Sequence, residues 1–377
     1  MRAARALLAA AALGLLGTSA AAAAPPGGVG GILQEPATGF AQVSAPRAFS
    51  FPADAGPHPE FRQEWWYTSG NLEAADGERF GFELTFFRYA LAPPGLVSAG
   101  GASAWHASEI YLAHFAVTDV AAGRFRYAQK VSRAALGLAG AAAEPLHVWV
   151  DDWYLKVVPG LATSWLLHAG GEGYVLDLEL DASGPPVLNG VDGFSAKSST
   201  PGDASYYYSL PRLGVRGRLL RGGRGVAVTG LAWFDREWGS GALGRGQVGW
   251  DWFALQLQDG SSLMFYALRD AHGGIDAHSA GTFVERAGSV RSLGAREVSV
   301  EVTDHWVSPA GVRYPSAWRV GVAQLGLDLT VRPLLADQEL GTTPRYWEGA
   351  VDVRGTRAGE ALGGRGYVEL VGYPQEH

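Results

Sequence analysis

The sequence predicts an all-β protein made of two antiparallel barrel units packed together. Three observations carry this. Short apolar runs alternate with a period of two from about residue 60 onward, and no stretch carries a helical apolar stripe. Glycine, the residue of tight turns, makes up 53 of 377 positions, about twice the usual share of roughly 7%. Strands without intervening helices argue for a sandwich or barrel, and a chain this long divides more naturally into two such units than one.

Residues 1–24 read as an export signal: Arg2 and Arg5, a short apolar run from Ala6 to Leu16, then small residues at Ala22 to Ala24. The apolar run falls short of the roughly 20 residues of a spanning helix. Residues 25–55 form a Gly/Pro/Ala-rich leader, expected to be extended. The expected units are 56–235 and 236–377. Residues 174–181 illustrate the strand pattern: Tyr174, Leu176, Leu178 and Leu180 fall on one face, and Asp177, Glu179 and Asp181 on the other. Similar runs predict strands at 64–72, 80–88, 110–118, 147–158, 226–234, 248–257, 262–268, 296–303, 318–323, 346–353 and 366–372. Asp76-Gly77 and Asp259-Gly260 mark hairpins. The Ala/Gly-rich stretch 132–143 reads as loop. Glu64-Trp65 and Glu237-Trp238 each precede a Gly-aromatic strand; this echo suggests two related barrels, the second starting near 225–240.

Composition narrows the chemistry. With no cysteine, the chain has no disulfide, thiolate nucleophile or Cys-ligated metal. A net charge of −7 argues against nucleic-acid binding. No paired-histidine metal motif, nucleophile elbow, Walker loop or dinucleotide loop occurs.

The densest cluster is Trp233-Phe-Asp-Arg-Glu-Trp-Gly239. On a strand, Trp233, Asp235 and Glu237 share one face, and Phe234, Arg236 and Trp238 the other. Two carboxyls beside an indole can form a desolvated acid that keeps its proton near neutral pH. An ion pair between Arg236 and a neighbouring carboxylate fits the same residues. Glu64-Trp65-Trp66-Tyr67, Trp250-Asp251-Trp252 and Tyr346-Trp347-Glu348 repeat the pairing of acid with indole. They suggest an apolar cavity with polar anchors, or barrel filling. Tyr206 and Tyr208 share a face and either donate into a cavity or pack. His114, between apolar neighbours, suits a hydrogen-bonded core position.

These stretches, with Tyr206-Tyr-Tyr-Ser-Leu-Pro-Arg-Leu213, Gly249-Trp-Asp-Trp-Phe253 and Gly366-Tyr-Val-Glu-Leu370, resemble the carotenoid 1,2-hydratase (hydroxyneurosporene synthase) and AttH-type lipocalin-like family, over about residues 55–375. The resemblance implies two lipocalin-like β-barrels with an apolar ligand site near their junction. It also implies cofactor-free addition of water to a C=C bond of an isoprenoid or lipid. An acid protonates the alkene and water captures the cation. On that expectation Asp235 is the first acid and Glu237 the second, and Tyr206 or Tyr208 places the water. Glu64, Trp66, His114, Trp233, Trp238, Trp250, Trp252 and Trp347 line the ligand. The other expectation is a non-catalytic periplasmic carrier of an apolar molecule, with peripheral membrane contact. Both need the cavity; only the enzyme needs the acid to face it.

Overall fold

The computed structural model describes residues 37–95, 107–241 and 243–375. The expected export signal lies outside the described residues. Apart from two short 3-10 turns, the regular structure described is β. The first sheet takes β1 (Gln63–Ala74), β2 (Arg79–Ala90), β3 (Glu109–Asp119), β4 (Arg124–Arg133), β5 (Ala139–Ala143), β6 (Leu146–Val150) and β7 (Trp153–Val158). It continues with β8 (Leu161–Gly171), β9 (Tyr174–Asp181), β10 (Val187–Leu188), β11 (Phe194–Ala196), β12 (Ala204–Arg221) and β13 (Arg224–Gly239). Its order is β4-β3-β2-β1-β13-β12-β9-β8-β7-β6-β5, with β10 and β11 on β12, and it curls into a nearly closed barrel.

The second sheet takes β14 (Gln247–Leu257), β15 (Ser262–Asp270), β16 (Ala280–Val284), β17 (Val290–Gly294) and β18 (Ser299–Val307). To these it adds β19 (Arg313–Val322), β20 (Leu327–Pro333), β21 (Glu339–Leu340), β22 (Tyr346–Arg357) and β23 (Glu360–Val371). Its order is β17-β16-β15-β14-β23-β22-β20-β19-β18, with β21 on β22, and it forms a half-barrel. The expected unit limit at 235/236 falls inside β13; the chain changes sheet between Gly239 and Gln247.

Several local expectations change. Residues 147–158 are two strands, because Asp151 takes a left-handed φ of 54° and turns the chain. Part of 132–143 is strand β5, whose small residues let Gly140 lie against the Trp149 ring. β12 carries Pro211 at a register shift between Leu210 and Leu213, so a ladder donor is missing where the pairing is already broken. The described part of the leader is not a free extended segment. Val43 is fully buried in the first core, Ala53–Ala55 form a 3-10 turn, and the Ala55 carbonyl accepts from Trp66 Nε1 at 2.8 Å. The Glu-Trp echo is not a repeat: β1 pairs with β13, with Glu64 opposite Trp238 and Trp65 opposite Glu237.

Each sheet closes over its own apolar core. Trp66, Phe82, Phe86, Phe234 and Trp238 fill the first, and Phe253, Trp318, Trp347 and Val353 the second. The outer faces of β1, β2, β12 and β13 pack against those of β14, β15, β22 and β23, burying Tyr67, Tyr207, Trp233, Trp252, Met264 and Tyr367 between the barrels. These strands are therefore buried on both sides, and their runs do not alternate cleanly with polar residues. Gly81 marks the closeness of the approach: a Cβ there would stand 2.5 Å from that of Ala350. Asn71 Nδ2 donates to the Gly366 carbonyl at 3.0 Å, and Gln256 Nε2 to the carbonyls of Pro211 at 2.7 Å and Ala232 at 2.9 Å.

Candidate active site

A cavity of about 100 Å³ opens where the two outer faces diverge. That is smaller than the roughly 150 Å³ engineered cavity that holds one benzene, and suits only the branched end of a longer molecule. Trp65, Tyr67, Phe87, Tyr207, Trp250, Trp252, Tyr266 and Tyr346 are among its aromatic wall residues. Four carboxyl residues line it, Asp235, Glu237, Glu348 and Glu369, against one lysine, Lys197.

Strand register explains the assembly. In the β12–β13 pair Ser209 lies opposite Asp235, and Tyr207 opposite Glu237; in the β1–β13 pair Tyr67 lies opposite Asp235. Directly opposed residues share a face, so all of these point between the barrels. Asp235 is 4% exposed. It accepts from Ser209 Oγ at 2.5 Å, from Trp233 Nε1 at 2.6 Å and from the Tyr207 hydroxyl. Burial pushes its carboxyl up to about 7; the three donors pull the other way, and the nearby Glu237 charge adds to the rise.

Tyr207 also accepts from Trp252 Nε1 at 3.1 Å, which ties the acid of the first barrel to the indole wall of the second. Burial first, then the charges of Asp235 and Glu237, hold its hydroxyl well above the ordinary tyrosine range, so it stays a donor. Glu237 is paired with Lys197 Nζ at 3.0 Å and accepts from Ser205 Oγ. Burial alone would lower the lysine, but Glu237, Tyr266 and Asp235 together outweigh it and the ammonium is held above its usual range.

The second barrel adds its own carboxyls. Glu348 on β22 lies directly opposite Glu369 on β23. Tyr67 Oη donates to Glu348 Oε1 at 2.7 Å, and Trp250 Nε1 to Glu369 Oε2 at 3.0 Å. Burial raises Glu369 to about 7, helped by the charges of Glu237 and Asp235. Burial, then Glu369 and Glu83, raise Glu348 well above the carboxylate range.

The structure brings Asp235, Glu237, Trp250 and Trp252 to the cavity, with Trp233 directly behind as a donor to Asp235. The other expected residues lie elsewhere. Tyr206 and Tyr208 oppose Trp238 and Arg236 on the core face of the sheet; Tyr206 Oη donates to the Ala45 carbonyl at 3.1 Å. The neighbour between them, Tyr207, is the one that reaches Asp235.

Glu64, Trp66 and Trp238 sit inside the first barrel, where Glu64 pairs with both Arg88 and Arg236. The two arginines overcome its burial and hold its carboxyl well below the usual range. The Arg236 guanidinium lies 3.9 Å from the Trp66 ring centroid, and Trp238 stacks on His58 at 3.9 Å. The arginine ion pair is thus real, but it lies across the sheet from Asp235. Trp347 fills the second core and donates to the Ala336 carbonyl at 2.9 Å. His114 stands behind the wall, its Nδ1 2.8 Å from Tyr346 Oη and its Nε2 2.9 Å from the Gln129 amide nitrogen. Burial lowers it to about 4, so it is neutral and donates from Nδ1 to hold Tyr346 in place.

Lys197 and Tyr266 were not singled out from the sequence, and Trp65, Tyr67, Tyr207, Tyr346, Glu348 and Glu369 lie in the quoted stretches without being given a role there. Alternation alone separates Trp347 from Tyr346 and Glu348; it does not say which side is the cavity. Among the described residues no cluster of His, Asp and Glu fits a metal ion.

Comparison with known proteins gives a consistent relationship. The AttH-like family pattern matches residues 42–373. A crystal structure described as an AttH from Nitrosomonas europaea is 36% identical and superposes with a TM-score of 0.78, covering 89% of this chain and all of that one. Kievitone hydratase from Nectria haematococca shares the fold, with a TM-score of 0.66 at 17% identity, covering 90% of this chain and 98% of its own. The dehydratase asqC of Emericella nidulans is 24% identical over 227 residues, 55% of this chain; the chain spans 61% of that relative's length.

Proposed function

We propose, for a chain that belongs to the AttH-like family, a hydro-lyase activity: cofactor-free addition of water to a C=C bond, or its reversal, in the cavity between the barrels. The dehydratase and hydratase among its relatives support this reaction type. The observation that carries it is the Asp235 carboxyl, buried on the wall of an indole-lined cavity and fixed by Tyr207, Ser209 and Trp233.

In hydration, the Asp235 O–H bond breaks and a C–H bond forms at the less substituted alkene carbon. The positive charge grows on the other carbon, beside the faces of Trp65, Trp250 and Trp252. Such faces each stabilise a cation by about 0.5–2 kcal/mol. A water oxygen then bonds to that carbon and gives up one proton to a carboxylate of the cavity, and exchange with solvent restores the proton on Asp235. Ground and transition states differ in charge, so these fixed groups favour the transition state.

The substrate class we propose is an apolar isoprenoid or lipid alkene, the terminal 1,2 double bond of an acyclic carotenoid among them. The cavity suits the end of such a chain. Export through residues 1–24 would put the reaction in the cell envelope.

The test incubates the full chain with an acyclic carotenoid or a prenylated phenol in ¹⁸O-labelled water. Wild type is expected to form labelled alcohol, and Asp235→Asn to bind without forming it. Binding without turnover by wild type would make the protein a carrier, and undiminished turnover by the variant would remove Asp235 as donor.

A further inference from the structure

Glu348 and Glu369, like Asp235 and unlike Glu237, have no ion-pair partner among the described residues. Lys197 is committed to Glu237 at 3.0 Å and to Ser195 Oγ at 2.9 Å. Arg236 and Arg88 are across the sheet on Glu64. Glu348 lines the cavity and is 1% exposed; its Oε1 accepts from Tyr67, while Oε2 is buried without a partner. Behind it on β2, Glu83 is fully buried; Thr85 donates to one oxygen and the other has no partner. The groups facing the pair are the acids Glu83, Asp235 and Glu237, and the hydroxyls of Tyr67, Tyr346 and Tyr367. Apart from Lys197, which is spent on Glu237, the charged groups lining the cavity around the pair are acids. Two opposed carboxyls in such a place cannot both ionise, and an orphan oxygen is where a held proton or a bound hydroxyl belongs.

We propose that Glu348 and Glu369 share one proton and form a second acid–base unit, supplied by the second barrel, that serves the oxygen of the reaction while Asp235 serves the carbon. In hydration the water that bonds to the cation loses its proton to the carboxylate of the pair. Dehydration starts from the state hydration leaves: the doubly protonated pair gives one proton to the leaving hydroxyl, and the Asp235 carboxylate takes the one from carbon. Protons balance within one turnover, and solvent exchange between turnovers resets both units. The catalytic assignment rests on the hydro-lyase reading; the shared proton does not.

The experiment therefore reads the proton directly, in the ligand-free full chain. Infrared pH titration with ¹³C-labelled glutamate follows protonated glutamic acid in wild type, Glu348→Gln, Glu369→Gln and Glu83→Gln, with circular dichroism confirming each fold. Removing either member of the pair is expected to make the remaining carboxyl at least about tenfold more acidic, because its like-charged partner is gone. Unchanged midpoints in both pair variants would overturn the shared proton. If the midpoints move, ¹⁸O-water turnover of an acyclic carotenoid or prenylated phenol is compared at the same pH. Loss of turnover in Glu369→Gln with retained binding supports the catalytic role, and undiminished turnover overturns it. A wild type that shows the coupled titration but hydrates neither probe would instead count against the hydro-lyase reading.

Discussion

Tyr207 donates its hydroxyl to Asp235 while accepting from Trp252 Nε1 at 3.1 Å, so one side chain fixes the acid of the first barrel against the aromatic wall of the second. The acid is placed by contacts made only when the barrels are docked.

Tyr207→Phe removes a donor that favours the charged carboxylate, so the Asp235 carboxyl should rise further above about 7. The acid must be protonated to act, and turnover in wild type should fall as pH climbs through that value. In the variant the fall should move to higher pH, with the maximal rate lowered on the order of 10²-fold by loss of orientation. The pH dependence of kcat checks this; a falling limb that stays in place would refute it.

Asp235 also predicts a pH signature in stability. Its folded value of about 7 exceeds the ordinary 3.8, so the folded state binds the proton more tightly than the unfolded chain. The stabilisation is full below the lower value and lost as pH rises through the upper one. Denaturant titrations of wild type and Asp235→Asn should diverge in the variant's favour between pH 4 and pH 8. The change is on the order of 4 kcal/mol. A constant difference over that range would contradict the burial described.

Glu64 should behave oppositely. Paired with Arg88 and Arg236 inside the first barrel, it is held well below the ordinary 4.5. Its stabilisation is present above that value and lost as pH falls below it. Glu64→Gln leaves the buried Arg236 without a carboxylate and Arg88 with Glu109 alone, and should cost about 3–5 kcal/mol at neutral pH. Urea unfolding measures it, and a cost under about 1 kcal/mol would show that the network is exposed or replaceable.

Six of the 13 tryptophans fall into two groups. Trp65, Trp250 and Trp252 line the cavity, whereas Trp66, Trp238 and Trp347 lie in the barrel cores. Quenching of fluorescence by a bound polyene should shrink in Trp65→Phe, Trp250→Phe and Trp252→Phe. It should persist in phenylalanine variants of the core group. Equal losses in both groups would place the ligand elsewhere.

Much of this protein was legible in the chain itself. Period-two runs and turn dipeptides placed strands such as 174–181 and the hairpins at Asp76-Gly77 and Asp259-Gly260, because strand alternation and turn chemistry are local properties. The pairing of Asp235 and Glu237 on one face, away from Arg236, followed from the same periodicity. The Ala/Gly strand β5 and the proline-broken β12 escaped it, since their partners, rather than their own residues, hold them in the sheet.

The sequence by itself determined which side chains share a face; tertiary structure decided which face becomes the cavity. Tyr206, Tyr207 and Tyr208 are alike chemically, and only the curl of the sheet sends the first and third into a core and the second to the junction. Glu348 and Glu369 lie 21 positions apart in sequence and meet because β22 and β23 pair in one register. Burial on both faces erases the polar–apolar contrast that normally marks inside from outside, so the direction of each side chain was fixed only when the two barrels closed on each other.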